Sequence, residues 1–251
     1  MRLRRPLSGR SGLVIALLLV WCSTATAQAP EDKNIGEVFV LSLGGKLYDN
    51  LYTMTETPKP EKANPAYPAG VSSESLGTWR CVSCHGWDYS GSSGERGRVA
   101  GPHSALVSLR PLADADPARI ALKIKGPPHA FDFGALPENV VEVLALFISL
   151  GQYDRAAIMT ADGEATGTAK EGQMIFEGAC SNCHQLDGRA YLRGERGDKS
   201  SLGWLSRNRP EQVVHKIMNG FPGTDMLSMR FLAPNHIADL LAYLQTLDKG
   251  G

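Results

Sequence analysis

Two five-residue runs, Cys81-Val82-Ser83-Cys84-His85 and Cys180-Ser181-Asn182-Cys183-His184, constrain this chain more than any other feature in it. Two residues between the thiols let one helical turn present both sulfurs to the two vinyl groups of a haem. The adjoining His then reaches the iron from the same side. The fifth cysteine, Cys22, lies near the N-terminus, so the two runs use every cysteine beyond residue 27. Four cysteines in an exported chain could also form two disulfides, a zinc site or a redox dithiol. Zinc needs further thiol or imidazole partners at matching spacing, and a dithiol needs no His after both pairs. The spacing predicts two covalently attached haem c groups, on Cys81 and Cys84 and on Cys180 and Cys183, with His85 and His184 as iron ligands.

A second regularity supports duplication. With a constant offset of 97, residues 126–150 lie without gaps on residues 223–247, and Gly126/Gly223, Pro137/Pro234, Leu144/Leu241, Ala145/Ala242 and Leu150/Leu247 are identical. The two cysteine motifs are offset by 99. A period this long marks a duplicated domain rather than a solenoid of short repeats. Each copy reads as helical. Pro137 and Pro234 stand at helix starts, followed by Val140, Val143, Leu144, Phe147 and by Ile237, Leu240, Leu241, Leu244 at helical spacing. Earlier helices are expected after Asp116-Pro117, through Ile120 and Ile124, and from Pro210 through Val213, Val214 and Ile217. An amphipathic segment, 171–176, leads into the second motif. Nothing reads as alternating strands, so the expected class is all-α, with Gly-rich loops at 86–101 and 187–203.

The first 27 residues read as an export signal: Arg2, Arg4, Arg5 and Arg10, an apolar core from Leu13 to Trp21, and Ala25-Thr26-Ala27 as the cleavage site. An uncleaved membrane anchor is the alternative. The whole chain balances 26 basic against 26 acidic residues. Removal of the signal leaves 22 against 26, which excludes the basic excess of a nucleic-acid binder. The expected organisation is a signal peptide at 1–27, one domain at 28–152, a linker at 153–169 and a second domain at 170–249.

On these motifs the chain resembles class I c-type cytochromes, over roughly 36–150 and 170–247. The stretch from Thr78 to Tyr89 is similar to that of bacterial periplasmic dihaem cytochromes c with two tandem domains. The departure from the family is a Pro-rich insert at about 53–76, with Pro58, Pro60, Pro65 and Pro68, expected to form an irregular wrap or interaction loop. The resemblance implies a distal iron ligand ahead of each domain's last helix. In the second domain Met226, eleven residues before Ile237, stands at the family's distal Met position; Met229 is the competitor and Met218 reads as core. The first domain has no Met between Cys81 and Leu150, and the 97-residue offset sets His129 on Met226. His129 is the expected distal ligand there, with His103 or an open position as alternatives. His215 and His236 read as surface or helix-end histidines.

Two function classes follow from the resemblance. One is a periplasmic carrier that moves single electrons between redox protein partners and has no substrate of its own, with association to a membrane or periplasmic oxidoreductase complex in view. The other is a haem-based oxidoreductase, thiosulfate dehydrogenase-like or another small-molecule oxidase, or the electron-transfer subunit of one. Such dehydrogenases use a Cys ligand at the active haem, and no cysteine is spare here. No nucleotide loop, catalytic triad or carboxylate pair stands out.

Overall fold

The structure, a computed structural model, describes residues 34–68, 75–95, 106–129, 131–192, 197 and 199–247. The expected signal peptide and His103 lie outside them. Residues 32–251 group as one unit. Among the described residues the regular structure is helical, with a single isolated bridge between Met159 and Ala165. The chain runs α1 (Ile35–Thr55), α2 (Cys81–His85), α3 (Pro117–Lys125), α4 (Val140–Leu150), α5 (Ala169–Ala179), α6 (Ser181–His184), α7 (Leu202–Asn208), α8 (Pro210–Asn219) and α9 (Pro234–Thr246).

Local chemistry explains most of these boundaries. Asn34, Asp116 and Ser201 cap α1, α3 and α7, each side-chain oxygen accepting a backbone N–H of the first turn. Pro117, Pro210 and Pro234 occupy the first helical turn, where a missing N–H costs nothing. Pro137 differs from its counterpart: it lies in a turn whose carbonyl accepts from Val140 N (3.1 Å), and α4 starts only at Val140. Inside α1 the backbone leaves helical geometry at Asn50, whose Oδ1 accepts from Thr53 N (3.3 Å) and so caps the restarted turn.

Two helix pairs form the frame, α1 with α4 and α5 with α9. A glycine sits at each crossing. A Cβ on Gly44 would lie 2.4 Å from Phe147 Cβ and 2.8 Å from Val143 O; one on Gly172 would lie 1.9 Å from Asp239 O and 2.9 Å from Leu240 N. Val143 and Leu240 are equivalent positions in the 97-residue repeat, so the crossings correspond. Gly172 precedes Cys180 by 8 residues, whereas Gly44 precedes Cys81 by 37. The difference, 29 residues, is close to the 24 residues of the Pro-rich insert at 53–76.

Helix α1 carries a second contact. A Cβ on Gly45 would fall 2.2 Å from Asn219 Cγ at the end of α8, so α1 lies between α4 and a helix of the other half. One hydrophobic core accordingly runs from Leu47, Tyr48 and Phe147 to Val214, Ile217 and Leu240. The segment after α4 packs as well: Tyr153, Ile158 and Met159 are buried, and Arg155 pairs with Glu211 (3.0 Å).

The crossing contacts predict opposite effects for the same substitution. Gly172→Ala should lower unfolding stability by roughly 1–3 kcal/mol through overpacking against immovable backbone, outweighing the helix-propensity gain of about 1 kcal/mol. Gly178→Ala, on the same helix with nothing within 4 Å, should be neutral or stabilising by up to about 1 kcal/mol. Denaturant unfolding of the two holoproteins checks this.

Candidate functional site

Helix α2 is a single turn, and that turn sets Cys81, Cys84 and His85 along one wall of a cavity of about 620 Å³. The cavity walls are largely apolar, with Leu51 from α1, Ile120 and Ile124 from α3, Leu144 and Ile148 from α4, and Phe131 from the loop beyond α3. Asn64 and Ala66 of the Pro-rich insert close one side. The insert is tied down there by Trp79 Nε1, which donates to Lys62 O (2.7 Å), and by Asn64 N, which donates to Thr78 Oγ1 (2.8 Å).

His129 also lines the cavity, and its ring centroid lies 6.3 Å from that of His85. His85 Nδ1 bonds to Val107 O (2.7 Å) and His129 Nδ1 to Lys123 O (3.1 Å). A carbonyl only accepts, so both Nδ1 atoms carry protons, which leaves Nε2 of each ring as the nitrogen suited to meet a metal. Burial pulls the His85 pKa down, and the nearby His129 adds to this against the Val107 hydrogen bond. Both effects keep the ring in its metal-binding form. The Cys81 thiol is pushed up to about 12 by burial and by the adjacent Cys84.

At the second motif Cys180 closes α5, and α6 carries Cys183 and His184. His184 is half-buried and edge-on to Tyr191, with 5.3 Å between ring centroids; burial lowers its pKa. Met226 is half-buried in the loop between α8 and α9, and no described hydrogen bond or ring contact joins it to His184. Met229 is buried in the core, with its N–H on Ile217 O (2.8 Å), and Met218 is core too.

Residues 167–244 match the family model described as cytochrome C oxidase, cbb3-type, subunit III. A protein of Synechocystis sp. described as cytochrome c-553-like is 30% identical over 81 residues, a stretch covering 32% of this chain and 70% of that relative. The chain belongs to the cytochrome c family. A cytochrome c domain carries covalently bound haem c and transfers electrons through it, with redox proteins as partners. The matched segment contains the second cysteine motif. The largely apolar cavity at the first motif, with two thiols and two imidazoles in its walls, also suits a haem.

One histidine of this cytochrome corrects the sequence reading. His215, expected at a surface or helix end, is fully buried. Its Nε2 donates to Gly45 O (3.0 Å) and its Nδ1 accepts from Tyr89 OH (3.1 Å). The apolar stripe of α8 marked one buried face; α1 covers the opposite one, which pattern alone did not reveal. His236 is exposed at the start of α9, 3.6 Å from Asp239. The charge pairs joining Asp49 to Arg80 and to Lys216 were also invisible in sequence, because the partners are far apart in the chain.

Burial takes the His215 pKa from 6.5 down to about 3; Lys216 and Arg230 add to this, while Asp49 and the Gly45 carbonyl oppose it. Between these values the unfolded chain binds a proton that the folded chain refuses. Stability from this group is therefore complete above about pH 6.5 and falls towards pH 3, by up to about 1.4 kcal/mol per pH unit. His215→Gln should flatten that part of the stability–pH curve, read as the wild-type-minus-variant difference in denaturant unfolding.

Proposed function

We propose that the protein is an exported, periplasmic dihaem cytochrome c, with domains at 28–152 and 170–249, that passes single electrons between redox protein partners. The observation that carries this reading is the facing pair His85 and His129, 6.3 Å apart, each oriented by a backbone carbonyl. In this reading Cys81 and Cys84 would anchor the first haem, and His85 and His129 would hold its iron. Cys180 and Cys183 anchor the second, between His184 and Met226. Among the described residues no helix is long and apolar enough to cross a membrane.

Haem iron, when bound, supplies a one-electron ferric/ferrous couple. The chain's own residues position it. Carbonyl hydrogen bonds on both Nδ1 atoms fix tautomer and ring orientation and strengthen each imidazole as a donor. The apolar walls exclude water and favour the less charged state. With His129 holding the iron, small molecules would be kept from it, which favours a carrier over a catalyst there. A bis-imidazole set stabilises ferric iron more than an imidazole–thioether set does. The first site should therefore have the lower potential, and electrons would run from the first domain to the second.

Two measurements test the reading. Replacement of Cys180 and Cys183 by Ala should leave one covalent haem by mass spectrometry; retention of two would refute the attachment sites. In a redox titration His129→Met should raise the lower potential alone and strengthen the red absorption band of Met-ligated iron. An unmoved lower wave with no gain in that band would exclude His129 as the ligand.

A further inference from the structure

Between α1, the first cysteine motif and α8 lies a charge cluster with no part in holding haem, in which Asp49 and Lys216 are buried and Arg80 is half-buried. Asp49 on α1 is 1% exposed. Its two carboxylate oxygens are divided: Oδ1 accepts from Arg80 Nη2, and Oδ2 accepts from Lys216 Nζ. Arg80 adds a second bond, Nε to the Asp49 carbonyl (2.6 Å). Arg80 immediately precedes Cys81 and borders the cavity. Lys216 comes from α8 in the other half and is also buried. Both cations lie over the ring of Trp87, two residues beyond His85, at 5.6 Å for Arg80 and 5.3 Å for Lys216; Lys216 also sits 3.7 Å from the centre of the Phe221 ring.

Two cations share one carboxylate, so these three groups leave one positive charge in the core beside the first motif. Buried charges are weakly screened by solvent and salt, and their influence reaches further than that of surface ions. Reduction of an iron centre adds one negative charge, which a neighbouring cation favours and a carboxylate disfavours. His215 next to the cluster is kept neutral by its complete burial, with Nε2 on Gly45 O and Nδ1 accepting from Tyr89 OH, so its ring adds no charge. We propose that Asp49, Arg80 and Lys216 form a charge clamp through which the second half sets the reduction potential at the first attachment site. Asp49 is a positioning residue that acts through the two cations. The proposal rests on the reading that Cys81 and Cys84 carry a haem.

The test is spectroelectrochemical titration of the full-length holoprotein, with the first-site wave assigned by the magnetic-resonance signal of bis-imidazole iron. Lys216→Met should lower that potential, Asp49→Asn should raise it, and the charge-keeping Lys216→Arg should leave it near wild type. A merely structural clamp would move Lys216→Met and Asp49→Asn in the same direction, and that result overturns the proposal. So does a Lys216→Met potential equal to that of Lys216→Arg, a comparison that decides the matter alone if Asp49→Asn does not fold. A wild-type haem count of one with Cys81 and Cys84 unmodified would instead remove the first-site reading itself.

Discussion

The close approach of α1 to two helices at once is the constraint on which the rest of this structure depends. Gly44 lets the α4 backbone come within van der Waals distance, and Gly45, the next residue, makes room for the Asn219 side chain at the end of α8. A side chain at Gly44 would push α4 outward by about an ångström. That distance is large for an interior packed as densely as an organic crystal. Tyr48 and Leu51, one and two turns on, then reach the cavity that holds Cys81, Cys84 and His85. The same helix thus builds a wall of the cavity at the first cysteine motif and fastens that cavity to the other half.

Burying so much of α1 and α8 brings polar groups into the core, where hydrogen bonds tie them together on both sides of the junction. Asn219 donates to His215 O (2.8 Å) and accepts from Arg230 Nη2 (2.6 Å), which also reaches Gly151 O at the end of α4 (3.0 Å). Tyr153 OH donates towards Trp87 O (3.2 Å) and Glu211 O (3.4 Å). Removing one partner from such a network strands another in low dielectric, so the network favours a single relative placement of its members. For a protein that moves electrons this matters directly, because transfer depends on fixed distances. The segment at 153–169, read from sequence as a linker, is drawn into this packing through Tyr153, Arg155, Ile158 and Met159.

Helical periodicity was legible wherever one face of a helix is buried. Ile120 and Ile124 in α3, Val213, Val214 and Ile217 in α8, and Ile237 to Leu244 in α9 all lie in the core, as their spacing indicates. It failed for α1. Ser42, Gly44, Gly45 and Asp49 are buried alongside Leu41, Leu47, Tyr48, Leu51 and Tyr52, while Ile35 and Phe39 are exposed, so hydropathy does not mark the buried surface of the helix. His215 was misread for the same reason: its side of α8 is buried only because α1 lies on it.

What the amino-acid sequence determined by itself is the chemistry that depends on near neighbours. Two thiols three residues apart with a histidine next to the second must share one helical turn, and a repeated run of apolar residues must form a repeated helix. The division of Asp49 between Arg80 and Lys216 and the burial of His215 belong to the tertiary structure. Each joins residues separated by tens to more than a hundred positions, and their meeting depends on how closely whole helices approach. Two glycines in α1 decide that distance, and a glycine shows its purpose only when the atoms that would have struck its side chain are in place.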